Sequence, residues 1–178
     1  MLDIENSVIV IIDIQEKLVN AVGEFSPVGN ATKLAKAASI LNIPVIVTEQ
    51  YPQGLGATVS DVKKNLEKCI TLEKTSFSAL RTPSFAEELS KTAKKQVVIC
   101  GIEAHICVYQ TICDLLEQDY EVYFVKDASA SRNKHEFKTG VDLIKQNGAK
   151  VTCTEVVLFE WLKTSKHPNF KEIQALIK

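Results

Sequence analysis

Apolar residues fall along this chain in short unbroken runs: Val8 to Ile12, Pro44 to Val47, Val97 to Cys100, Glu121 to Val125 and Val151 to Cys153, with a weaker run at Cys69 to Leu72. Unbroken apolarity suits strands covered on both faces, so the runs predict a parallel sheet with helices above and below it. The segments between them carry a helical period. Ala31, Leu34, Ala35, Ala38 and Leu41 share one face, and Pro83 stands where a first helical turn tolerates it, after Thr82 as a cap. Ile112, Leu115 and Leu116 follow the fourth main run, counting the weak one, in the same way. Phe137, Val141 and Ile144 mark another helix that Asn147-Gly148 ends. The alternation predicts an α/β fold: three layers, doubly wound and Rossmann-like, with a mostly parallel six-stranded sheet and helices on both faces, in one domain over residues 1–178.

Composition narrows the partners. A chain of 178 residues that is 46% hydrophobic can bury roughly 70% of the surface its unfolded form exposes. Its net charge of −1 supplies no field to gather nucleic acid or an anionic membrane, which leaves a small-molecule substrate as the expected partner. The cysteines Cys69, Cys100, Cys107, Cys113 and Cys153 are odd in number and form no C-x-x-C pair, as free thiols of a reducing compartment would be. The Val8 to Ile12 run is far short of the ~20 residues of a membrane helix and follows no basic leader, so a cytoplasmic location is expected.

In a doubly wound sheet, ligands bind outside the carboxyl ends of the strands, where the winding reverses. The first strand ends in Asp13, the third leads into Lys74, and the fourth leads through a turn at Gly101 to Cys107 at the entrance of the next helix. A helix N-terminus and a nearby cation are the setting that lowers a cysteine pKa from about 8.5 toward 3.5–7.5. Asp13 is placed to take the thiol proton and return it to a leaving amine, while backbone N–H groups before Cys107 face a developing oxyanion. Each residue also has a plainer reading: a packing cysteine, a turn or cap aspartate, a solvated lysine. Their convergence on one sheet edge is what points to chemistry.

The runs "VIVIIDIQEKLV", "TEQYPQGLG", "EKTSFSAL", "VVICGIEAHICVYQTICDLL" and "VYFVKDASASR" resemble, in order and spacing, the isochorismatase-like cysteine hydrolase superfamily, and "TEQYPQGLG" its isochorismatase-domain-containing subgroup. The resemblance implies a triad of Asp13 as general base and acid, Lys74 as the cation and Cys107 as the nucleophile. It also implies a cis peptide at Ile102-Glu103, an oxyanion hole from the N–H groups of Glu103 and Cys107, and Gln15 lining the pocket. Gln50, Tyr51, Phe77 and Ile106 are further pocket candidates, with Tyr51 and Leu55 in a loop that Gly54 and Gly56 make turn-prone.

Departures from relatives matter as much. Nicotinamidases of this superfamily carry an aspartate and histidines after the second strand, whereas this chain has Glu49, Gln50, Tyr51 and Pro52, and its histidines, His105, His135 and His167, are scattered. No metal and no cofactor are expected. Family members that cleave isochorismate lack the nucleophilic cysteine, so Cys107 implies covalent attack on a small amide. The alternative is a reactive-thiol protein for binding or redox sensing on the same fold. His105 is expected to point away from Cys107, Asp127 to satisfy backbone donors, and the other four cysteines to be inert packing. Relatives are commonly homo-oligomers, so a dimer or tetramer is expected.

Overall fold

The structure, a computed structural model, describes residues 1–66 and 69–178. Its elements run β1 (Ser7–Ile12), α1 (Glu16–Val22), α2 (Val28–Leu41), β2 (Val45–Gln50), α3 (Pro52–Leu55), α4 (Ser60–Lys63), β3 (Ile70–Lys74), α5 (Pro83–Lys91), β4 (Gln96–Ile102), α6 (Tyr109–Glu117), β5 (Glu121–Ala130), α7 (Lys134–Gln146), β6 (Lys150–Thr152), α8 (Thr154–Leu162) and α9 (Phe170–Ala175). The six strands lie in the order β3-β2-β1-β4-β5-β6, and every neighbouring pair is parallel. The expected "mostly parallel" sheet is therefore wholly parallel among the described residues. The chain winds outward from β1 to β3, then returns to the other side of β1 with β4, so the reversal lies between β1 and β4.

The unbroken apolar runs are two alternating faces read together. In β1, Ile9 and Ile11 join one core with Leu34, Ala35 and Ala38 of α2 and with Leu158 and Trp161 of α8. Val8, Val10 and Ile12 join the other with Phe85 and Leu89 of α5, Ile112 and Leu115 of α6 and Ile144 of α7. Each such side chain contributes ~1.5–3 kcal/mol by leaving water.

The predicted elements depart from expectation mostly at their ends, whereas α1, α3, α4, α8 and α9 lie outside the predicted helices. β2 runs on to Gln50, β3 includes Lys74, and β5 extends to Ala130. Pro83 opens α5 as expected, but the Thr82 side chain makes no cap bond; its hydroxyl meets Ser76 Oγ at 2.9 Å. Of the four cysteines expected to be packing residues, Cys100 is fully buried, whereas Cys69, Cys113 and Cys153 are half-buried. Cys69 precedes β3 and Cys153 follows β6, the two outer strands of the sheet, and Cys113 lies in α6.

Gly101 is not in a turn. It is a residue of β4 paired with Ile12, with φ +142°, and a Cβ there would lie 2.0 Å from the Ile12 carbonyl oxygen. A side chain would force β4 away from β1 at the reversal point. Gly101→Ala is expected to lose ~3 kcal/mol or more in urea unfolding. Gly29→Ala, near the start of α2 where nothing lies within 4 Å, should be neutral or gain up to ~1 kcal/mol. Equal midpoints for the two variants would refute the close approach.

Candidate active site

The register of β1, β2 and β3 brings a buried ion pair to the carboxyl edge. Thr48 pairs with Ile12 across β1 and β2, and Lys74 pairs with Gln50 across β2 and β3. Asp13 follows Ile12 at φ +51°, a left-handed conformation that aspartate tolerates better than most residues. Its N–H donates to the Thr48 carbonyl at 3.1 Å. The carboxylate is wholly buried: Oδ1 accepts from Thr48 Oγ1 at 2.6 Å and Oδ2 from Lys74 Nζ at 2.7 Å. Lys74 Nζ also donates to Gln50 Oε1 at 2.7 Å and to the carbonyls of Ser76 and Phe77, each at 3.2 Å. Good geometry and full hydrogen bonding are what allow two charges to be held out of water.

Cys107 enters the same space from β4. The Ile102–Glu103 peptide is cis, and Ala104–Val108 form a π-helical turn that runs into α6. The N–H groups of Ile106 and Val108 both donate to the Glu103 carbonyl, at 3.1 and 3.2 Å. Cys107 is thus the fourth residue of a widened turn rather than the first of an α-helix. Its carbonyl accepts from Thr111 Oγ1 at 2.6 Å, and Thr111 Oγ1 accepts from the Ala79 N–H at 3.0 Å, tying the turn to the segment after Lys74.

The thiol is not lowered toward neutrality as the sequence suggested. Burial first and the Asp13 carboxylate second push Cys107 up to about 12, against the opposing pull of Lys74. Desolvation wins because only 7% of the residue is exposed and the lysine charge is already shared with Asp13. The resting group is a protonated thiol beside a carboxylate.

The remaining candidates divide. Gln50 holds Lys74, and its Nε2 donates to the Thr75 carbonyl at 2.9 Å. Gln15 is wholly buried; its Nε2 donates to the carbonyls of Gln50 and Gly56, at 3.1 and 2.6 Å, and its Oε1 accepts from the Gln50 N–H at 2.7 Å. Gln15 therefore closes the 50–56 loop, and both of its amide protons are engaged there. Tyr51 and Phe77 are 58% and 54% exposed, surface aromatics that flank Lys74. Tyr51 and Lys74 border an open cavity of about 280 Å³ that neither Asp13 nor Cys107 lines. Ile106 is half-buried against the core that contains Cys107.

Other polar groups scaffold the rim. Glu103 is buried; its carboxylate pairs with Arg132 Nε and accepts from the Arg132 N–H at 3.1 Å. The ring of His105 meets Ser131 Oγ at 2.9 Å and lies near Glu103 and Glu136, which engages it away from the thiol. Asp127 Oδ1 accepts from the N–H and hydroxyl of Thr154, at 2.8 and 3.0 Å, capping α8. Glu49 accepts from the N–H and hydroxyl of Thr58, at 2.8 and 2.7 Å. Among the described residues, no three His, Cys, Asp or Glu side chains gather as metal ligands. Thr48 and Thr111 went unrecognised in the sequence, because a lone threonine carries no periodic signal; their role appears only once the strands are in register.

Comparison with known proteins matches residues 7–156 to the isochorismatase domain model. Isochorismatase domain-containing protein 2 of Danio rerio is 41% identical over 177 residues, covering 99% of this chain and 89% of the relative. The secreted isochorismatase effector Isc1 of Phytophthora sojae is 37% identical, covering 97% of this chain and 85% of its own. A solved structure described as MAR1 ribonuclease from Caenorhabditis elegans is 39% identical with a TM-score of 0.93, covering 99% of this chain and 91% of its own.

The buried thiol gives a signed expectation. With Cys107 near 12, about one thiol in ten thousand is ionised at pH 8, so iodoacetamide should label it slowly and faster as pH rises. Asp13→Asn removes the carboxylate charge and leaves Lys74, so labelling at pH 8 should rise about tenfold or more. Slower or unchanged labelling in that variant, read by peptide mass, would reverse the assignment of Asp13 as the charge that holds the proton on sulfur.

Proposed function

Because the chain belongs to the isochorismatase family, we propose that it is a cysteine hydrolase that cleaves the C–N bond of a small-molecule amide. The observation that carries this reading is the buried Asp13–Lys74 pair, with side chains 0% and 1% exposed, acting on the Cys107 thiol. Asp13 takes the thiol proton as sulfur bonds to the substrate carbonyl carbon. The N–H groups of Glu103 and Cys107 receive the oxyanion. Collapse breaks the C–N bond, and the protonated Asp13 gives its proton to the departing amine. Water then attacks the thioester, Asp13 takes its proton, and the departing sulfur recovers that proton, giving acid plus amine from amide plus water. Lys74 keeps Asp13 fixed and its charge balanced throughout.

The same reading takes the chain as one hydrolase domain that needs no metal or cofactor and works as a homo-oligomer of two or four copies. The five free thiols favour the cytoplasm as its location. Among the described residues no helix is long and apolar enough to cross a membrane.

Two other readings are weaker. A redox-sensing thiol works through a low pKa, and burial holds Cys107 near 12. The Caenorhabditis elegans relative is described as a ribonuclease, but cleaving RNA calls for phosphate-binding cations along an open groove, and this chain has a net charge of −1 and a nearly closed thiol.

Incubating the protein with a panel of small primary and secondary amides should give an acyl adduct on Cys107 by intact mass and release amine. Cys107→Ala should lose about a thousandfold or more of that turnover. Turnover by Cys107→Ala at the wild-type rate would remove the nucleophile assignment. Cleavage of a short RNA with no reaction on any amide would favour the ribonuclease reading.

A further inference from the structure

At the carboxyl ends of β5 and β6, a cavity of about 510 Å³ opens beside the start of α7. Its volume falls in the range of small-ligand sites, roughly 300–1,000 Å³. Phe25 and Phe137 give it aromatic walls, Ala130 and Cys153 add apolar surface, and Lys126 and Lys134 complete the lining with two cationic residues. Neither Asp13, Lys74, Glu103 nor Cys107 lines it.

Three other polar groups of the wall, those of Asp127, Ser129 and Ser131, are already engaged. Asp127 accepts from Thr154 through Oδ1 and from Asn30 Nδ2 at 3.2 Å through Oδ2. Ser129 Oγ donates to the Val125 carbonyl at 2.9 Å, and Ser131 Oγ meets His105. The two lysines differ: among the described residues no carboxylate lies within ion-pair distance of either. Lys134 Nζ instead stands 4.6 Å above the centre of the Phe25 ring. With Asp127 counted against the two lysines, the wall carries a net positive charge over aromatic surface.

We propose that this cavity is a second binding site, separate from the thiol site, and that it takes a small aromatic carboxylate: the ring packs between Phe25 and Phe137 and the carboxylate meets Lys126 and Lys134. Burying a ring against two aromatic walls supplies the affinity, and the unpaired ammonium groups supply the preference for an anion. An uncharged molecule of the same shape leaves both lysines without a partner.

Cys153 lines the cavity and reports on it directly. Alkylation of Cys107→Ala by iodoacetamide, followed site by site, is measured with 2-naphthoate or with the neutral 2-naphthalenemethanol; the substitution keeps events at the nucleophile out of the reading. Naphthoate at about four times its dissociation constant should slow labelling of Cys153 about fivefold and leave Cys69 and Cys113 unchanged. Added separately, Phe25→Ala and Lys134→Ala should each weaken that protection several-fold without altering the unprotected rate by as much. No protection of Cys153, equal protection by the alcohol, or equal slowing at all three thiols would overturn the proposal. Each of these outcomes is independent of whether the protein hydrolyses amides.

Discussion

The carboxyl edge of this sheet is organised around one buried ion pair, Asp13 with Lys74 at 2.7 Å. Taking two charges out of water costs several kcal/mol per ion, and the attraction between them offsets this only when other polar groups complete their hydrogen bonding. Here those groups are Thr48, Gln50 and the carbonyls of Ser76 and Phe77. Each comes from a strand end or the turn that follows it. The pair therefore fixes the register of β1, β2 and β3 as much as the register fixes the pair, and removing one partner would strand an uncompensated charge in the core.

The protonation of Cys107 follows from the same constraint. A lysine free to face sulfur would favour the thiolate, but this lysine is already neutralised by Asp13 and surrounded by acceptors. Burial then decides, and the thiol keeps its proton. The Asp13 carboxylate beside it is a second reason, since its charge disfavours a thiolate. Cys100, fully buried one strand position before Gly101, is also pushed up to about 12 by burial, yet no carboxylate–lysine pair is arranged to take its proton. What distinguishes the two cysteines is their neighbours, not their acidity.

Much of the remaining polar chemistry holds backbone in place. Gln15 closes the 50–56 loop, Glu49 ties down Thr58, Asp127 caps α8, and Glu103 is pinned to Arg132 from the end of β5. Irregular segments at a sheet edge leave N–H and C=O groups without ladder partners, and buried side chains supply them. These side chains hold the irregular rim around Cys107 in place. The cavity beside β5 and β6 is different, because Lys126 and Lys134 are not engaged in this way.

The sequence by itself determined the six strands, the helices α2, α5, α6 and α7, and the doubly wound class, and it pointed to Asp13, Lys74 and Cys107 at one edge. Those features follow from local periodicity and from a general rule about strand ends, both of which a single chain displays. It also led to the expectations that Cys100 packs, that Asp127 serves backbone donors and that His105 turns from the thiol, each of which agrees with the structure. Only the tertiary structure decided that Gly101 lies inside β4 against Ile12, that Cys107 sits in a π-helical turn, and that Gln15 closes a loop. It alone decided that Thr48 and Thr111 brace the site and that the thiol is raised rather than lowered. The physical reason is common to all of these: each depends on distances between residues far apart in the chain and on how much water their packing excludes. Neither quantity is written in the order of the residues.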